Sequence, residues 1–134
     1  AVSLEDGLIV PVIRNADKKS IFEIAAESKR LAEKARNGTL SLEEYAGGTF
    51  TVTNMGMLGV DSFAAIINPP EVGILAVGKI SLRPVIKDGQ VLPGHVMNLT
   101  LSTDHRVVDG ALAARFLNAV KAYLESPRRL IAEA

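Results

Sequence analysis

The order of apolar and polar positions predicts a chain of alternating strands and helices. Residues 7–13 form a short apolar run, which predicts a buried strand. From Ser20 the period changes. Ile21, Ile24, Ala25, Leu31 and Ala35 fall near helical spacing, Ser20 can cap the start, and Asn37-Gly38 ends the helix after Arg36. Ser41-Leu-Glu-Glu44 has the capping-box pattern and predicts a short helix stopped by Gly47-Gly48. Residues 49–54 alternate as a strand rich in β-branched and aromatic residues. Gly56 and Gly59 mark a loop, and Pro69-Pro70 breaks the chain. Residues 72–79 are almost continuously apolar, so that strand should be buried on both faces. Residues 82–86 and 90–92 flank Lys87-Asp88-Gly89, a hairpin signal. Residues 96–102 alternate as a strand, and a long helix follows over residues 111–124, with Pro127 beyond its end.

Composition narrows the chemistry. A chain of 134 residues suits one domain with a real core, and 48% apolar against 22% charged residues is globular rather than disordered. Fifteen basic and fifteen acidic residues cancel, which leaves no electrostatic case for nucleic acid or an anionic membrane. No apolar run reaches a membrane span and no signal peptide is visible. The absence of Cys excludes disulfides, zinc-thiolate sites and a Cys nucleophile, and it fits a reducing compartment. Any sulfur chemistry must therefore use the substrate's sulfur. Two His without Cys argue against a metal held by the protein. His95, beside Gly94, is expected in a solvated turn, and the basic positions of the first helix on a solvated face. Gly56-Met-Leu-Gly59 lacks the residues of a phosphate loop. Met55 and Met57 fit a core, or the lining of an acyl channel.

The most informative stretch is Ser102-Thr-Asp-His-Arg-Val-Val-Asp-Gly110, which sets His105 and Asp109 four residues apart between a predicted strand and a predicted helix. A histidine at such a junction can serve as a general base, because imidazole titrates near neutral pH. Taken alone, the pair reads first as a surface or capping pair, with Asp109 as the N-cap of the helix. Thr53, taken alone, is a β-branched strand residue.

Asp-His-Arg-x-x-Asp-Gly followed by an Ala-rich helix resembles the active-site motif of the dihydrolipoyl acyltransferases, the core enzymes of 2-oxoacid dehydrogenase complexes, related in fold to chloramphenicol acetyltransferase. Gly7-Leu-Ile-Val-Pro-Val-Ile-Arg-Asn-Ala-Asp17, Gly47-Gly-Thr-Phe-Thr-Val-Thr-Asn54 and Ile66-Ile-Asn-Pro-Pro-Glu-Val72 resemble further blocks of that family, in the family's order. The resemblance covers nearly the whole chain. It implies the C-terminal part of a catalytic domain, without the family's N-terminal portion or its lipoyl and subunit-binding modules. Asp17-Lys18-Lys19 precedes a helix and is no lipoyl attachment site.

The resemblance implies an α/β fold, a mixed sheet flanked by helices. The implied activity is acyl transfer between a dihydrolipoyl thioester and coenzyme A, with acetyl favoured over succinyl or branched-chain groups. His105 would be the base and Thr53 the oxyanion donor, facing His105 of a neighbouring subunit. Coenzyme A contacts would lie at Thr53, Asn54 and around Gly78. For Asp109 the resemblance implies a structural role, holding its loop by pairing with an arginine, and this is the favoured reading; the residues by themselves also allow it to orient His105 as in a triad. The lipoyl group would arrive on a separate domain. Partners would be further copies in trimers, built into a cubic or icosahedral core, and the other complex components, in cytoplasm or mitochondrial matrix. Leu130-Ile131 would dock a neighbouring trimer, or fold back as a last helical turn. Two other readings stay open: a stand-alone chloramphenicol acetyltransferase-like enzyme, and a scaffold that assembles without turnover.

Overall fold

In the computed structural model the chain divides into two compact units, Ala1–Thr49 with His105–Ala134, and Phe50–Asp104. Residues 1–132 are described, apart from the side chains at positions 129, 130 and 132. Helices and mixed strand pairing give the α/β class expected from the sequence.

The first unit opens with a two-stranded antiparallel ribbon, β1 (Val2–Leu4) and β2 (Gly7–Ile9). The run over residues 7–13 is thus a shorter strand than the sequence suggested, and neither strand is buried. Helix α1 (Ile21–Arg36) begins with a complete capping box: the Ser20 hydroxyl accepts from the Glu23 N–H, and the Glu23 carboxylate accepts from the Ser20 N–H at 2.8 Å. That backbone bond, foremost, holds the Glu23 carboxyl below its ordinary range. Leu31 and Ala35, one turn apart, are its buried residues, whereas Ala25 is exposed. Gly38, at φ 65°, supplies the left-handed residue after the helix.

The second capping box starts a single 3-10 turn, Leu42–Glu44. Glu44 joins this turn to α1, accepting from Arg30 at 2.7 Å and Lys34 at 2.6 Å. Arg14 ties in the β2 end of the chain: its guanidinium donates to the carbonyls of Glu43 and Ala46 at 2.8 and 2.7 Å. Gly47, at φ 74°, faces that guanidinium. Helix α2 (Gly110–Glu125) follows the predicted helix within one residue at either end. Pro127 does not merely follow it; it opens a short helix α3 (Pro127–Ala132), as its fixed φ permits at a first helical position. Ile131 is exposed on α3, and the side chain of Leu130 lies outside the described residues.

The second unit is built on a three-stranded mixed sheet in the order β3 (Thr51–Asn54), β4 (Gly73–Val77), β7 (Leu99–Thr103). β3 and β4 are parallel, with Thr51 opposite Ile74 and Thr53 opposite Ala76. β4 and β7 are antiparallel. β4 is buried from Gly73 to Ala76, as its unbroken apolar run requires. The remaining strands, β5 (Ser81–Lys87) and β6 (Gln90–Val96), form a hairpin. Asp88 and Gly89 turn it with φ of 52° and 75°, the two positive values that a tight two-residue hairpin demands. Pro84 and Pro93 lie directly opposite each other. β6 absorbs Val96, so the strand before His105 starts at Leu99 and not at 96. His95 sits in β6 opposite Leu82, correcting the expectation of a turn.

The Glu44 cluster makes a pH prediction. Its bonds to Arg30, then Lys34, then the Ser41 N–H lower its carboxyl from 4.5 to about 2. A depressed acid contributes stability above its unfolded pKa and loses it as pH falls through the folded value. Thermal melts should therefore show the native protein losing more stability than Glu44→Gln between pH 4.5 and about 2. Parallel curves for the two proteins would contradict the cluster's role.

Candidate functional site

Thr53 stands on the edge strand β3, whose period of two puts Thr51 and Thr53 on one face and Val52 and Asn54 on the other. Burial follows that alternation: Thr51 is buried, Val52 exposed, Thr53 half-buried and Asn54 exposed. The Asn54 side chain accepts from the Gly56 N–H at 2.9 Å, and the Met55 N–H continues the ladder to Val77 at 3.1 Å. The chain then makes one 3-10 turn, Gly56–Leu58. Met57 on this turn is 98% exposed, so a core role within the unit is excluded.

The structure brings Gly78 close to this strand end, one residue past the Asn54–Val77 pair. Gly78 is buried and its N–H donates to the Asn98 carbonyl at 2.9 Å. A Cβ there would lie 2.0 Å from the Asp61 carbonyl oxygen. Gly56 is packed in the same way, its missing Cβ 2.8 Å from the Gly78 carbonyl. Asp61 is held by Arg83 and by the Asn98 amide. The glycine pair therefore allows two loop backbones to close on the end of β4. No free N–H is left at Gly78 to donate to a ligand.

In the other unit His105 opens the turn that links Thr103 to α2, and it is exposed. Asp109 is the N-cap of α2, its Oδ1 accepting from the Leu112 N–H at 2.8 Å. The capping reading of Asp109 is thus the one the geometry displays, and one carboxylate oxygen is already engaged. Among the described residues no group of His, Asp and Glu could hold a metal ion. An apolar depression lined by Leu82, Arg83, Pro84, Val91, Leu92 and Pro93 lies on the hairpin and contains none of the expected site residues.

Sequence reasoning missed Arg14, Thr51 and Glu71. Thr51 and Glu71 are buried polar residues of the sheet unit, 2% and 8% exposed, and the Thr51 hydroxyl donates to the Glu71 carboxylate. Glu71 carried a signal: a charged residue directly before a continuous apolar strand needs a buried partner.

Comparison with known proteins identifies the group to which these elements belong. The family model for the 2-oxoacid dehydrogenases acyltransferase (catalytic domain) matches residues 1–132. The chain belongs to this family. Among its relatives, the dihydrolipoyllysine-residue acetyltransferase component of the pyruvate dehydrogenase complex of Rickettsia bellii is 49% identical over 131 residues, covering 98% of this chain and 31% of the relative. The solved dihydrolipoamide acetyltransferase of Azotobacter vinelandii, studied for the role of a serine, a histidine and an asparagine in its catalytic mechanism, superposes with a TM-score of 0.90 at 45% identity. The match covers 97% of this chain and 54% of that one. A structure of the cubic core of the pyruvate dehydrogenase multienzyme complex gives the same TM-score, identity and coverage. The chain thus spans about a third of the curated relative and about half of the solved ones.

Three substitutions separate packing from ligand contact at Gly78, and cap from charge at Asp109. Gly78→Ala should destabilise the protein by about 1–3 kcal/mol, since the methyl must displace backbone. An unchanged melting temperature with a raised KM for coenzyme A would instead make Gly78 a ligand contact. Asp109→Ala should cost about 1 kcal/mol, while Asp109→Asn, which still caps, should cost little. Equal losses in both, measured by denaturant titration, would mean that the charge and not the cap matters.

Proposed function

We propose that this chain forms the C-terminal part of an acyltransferase catalytic domain that moves an acyl group, acetyl by preference, between a dihydrolipoyl group and coenzyme A. One observation carries the reading. In the Azotobacter vinelandii enzyme the serine precedes the histidine by 52 residues and the asparagine follows it by four. Thr53, His105 and Asp109 have the same two spacings in this chain. A hydroxyl is kept at the first position, and an oxygen that can cap a helix at the third.

The chemistry follows from the side chains. The imidazole of His105 takes the proton of the attacking thiol, because the thiolate is the nucleophile. The sulfur bonds to the thioester carbon and the carbonyl oxygen becomes an oxyanion, to which the Thr53 hydroxyl donates. Collapse breaks the original carbon–sulfur bond. The departing thiolate recovers the proton from the imidazolium, so the enzyme ends as it began. Asp109 stiffens the start of α2 and with it the turn that carries His105. The residues at the β3 end, Thr53 and Asn54, would meet coenzyme A, with Gly78 serving to let the neighbouring loops pack. The lipoyl group would be delivered by a separate domain.

The reading places Thr53 and His105 of a working site on neighbouring subunits of a trimer, within a larger core and alongside the other complex components, in a bacterial or archaeal cytoplasm or a mitochondrial matrix. The cubic core among the similar structures supports the assembly. So do the apolar side chains left exposed, among them Leu58, Ile66, Ile80 and Phe116. No described helix is long and apolar enough to cross a membrane.

Transfer between acetyl-CoA and dihydrolipoamide, followed with the full-length protein, tests the proposal. His105→Ala should lower turnover by ~10²–10⁴-fold. Thr53→Ala should lower kcat by ~10²–10³-fold with a smaller change in KM, and Thr53→Ser should be mild. An assembled His105→Ala protein that keeps half its turnover would exclude the base assignment. Co-assembly of the two inactive variants should restore part of the activity, because some interfaces then pair an intact Thr53 with an intact His105. Inactive mixed assemblies would place both groups in one subunit.

A further inference from the structure

The reaction assigned to Thr53 requires its hydroxyl to be fixed within a fraction of an ångström, yet β3 is a weak platform. It is four residues long and lies at one end of the sheet order, paired with β4 through a short parallel ladder. A slip of one residue would turn Val52 and Asn54 to the face now occupied by Thr51 and Thr53. Two contacts at the start of the ladder oppose this. The Phe50 ring lies over Gly73, 2.9 Å from where a Cβ would be. The Thr51 hydroxyl donates to the Glu71 carboxylate, and both residues are buried. Glu71 is itself fixed by its N–H, which donates to the Asn68 carbonyl at 3.0 Å.

We propose that Thr51 and Glu71 are positioning residues for acyl transfer: their buried hydrogen bond locks the register of β3 against β4 and so sets the place of the Thr53 hydroxyl two residues on. Thr51 shares its strand face with Thr53, so a change of register at the lock displaces both side chains together. Apolar packing alone would not select this register, since Val52 fills the buried position as readily as Thr51 does. A carboxylate buried beside the strand does select it. It must receive a donor, and Thr51 is the residue of the strand placed to give one. The inference rests on the oxyanion role of Thr53.

The test is a double-mutant cycle in the full-length protein, read as kcat and KM in the dihydrolipoamide assay. Thr51→Val should reduce kcat ~10–100-fold, the scale of a misplacement near 1 Å, with KM for coenzyme A little changed. Thr51→Ser, which restores the donor, should recover most of it. In a Thr53→Ala background the Thr51→Val loss should vanish, because the group being positioned is gone. Thr51→Val with Glu71→Met removes both polar partners, and should regain thermal stability without regaining kcat. If Thr51→Val does not fold, Glu71→Gln carries the same cycle, since it weakens the acceptor and keeps its shape. A loss that persists undiminished in the Thr53→Ala background overturns this inference alone. So does a kcat that returns together with stability in the double variant. Wild-type turnover in Thr53→Ala overturns the oxyanion reading and this inference with it.

Discussion

The burial of β4 is the constraint on which the sheet unit depends. A five-residue strand paired on both edges, with Gly73 to Ala76 out of water, leaves no freedom in what may lie beside it. Both ends of the strand show the same solution. At Gly73 the Phe50 ring occupies the space of a side chain, and at Gly78 the Asp61 carbonyl does. Neighbouring chain is thereby brought against the strand from its first residue to the one beyond its last. The β3 segment that presents Thr53 is held on this frame, and so is the loop through Asp61 that closes over its far end. The position of the Thr53 side chain is thus inherited from close packing around β4.

The helical unit is organised differently, by charge and capping at its surface. Glu44 gathers Arg30 and Lys34 of α1 to the 3-10 turn, and Arg14 satisfies two carbonyls that the turn leaves open. Exposed ion pairs taken singly contribute little. Here one carboxylate serves two cations and a backbone N–H, while a guanidinium serves two carbonyls, so the loop has few alternative conformations. The cap at Asp109 does the same for the segment that follows His105.

Where local rules decide, the sequence was sufficient. The Ser20 cap, the Asp88-Gly89 turn and the two-sided burial of β4 each follow from a residue's own preferences or from an unbroken apolar run. The apolar run over residues 7–13 misled because apolar character alone does not say how far a strand will find a partner, or that it will be buried. His105, Asp109 and Thr53 were singled out as candidates through their resemblance to family blocks, since the spacing of His105 and Asp109 alone fits a capping pair. Thr51, Glu71 and Arg14 were not singled out because each acts through a partner distant in sequence: 20 positions for the Thr51 bond, 29 and 32 for those of Arg14. A single chain read from end to end carries no register for such pairs. The packing role of the glycines at 56 and 78 was hidden for a related reason, since the need for a missing side chain is known only when the opposing backbone is in place.

The β5–β6 hairpin adds a consequence of another kind. Counting from its two-residue turn, Lys87–Gln90 is a mutually bonded pair, and the bonded and non-bonded pairs then alternate, so Pro84 and Pro93 fall at a non-bonded pair. At such a pair the peptide N–H groups point outward, away from the partner strand. Proline has none, so the ladder loses nothing while both outer rims lose a donor at the same height. An incoming strand would meet a gap on either side. A ribbon bearing Ile86 and Val91 in the open is the kind of surface that polymerises edge to edge. These two imino acids blunt that route.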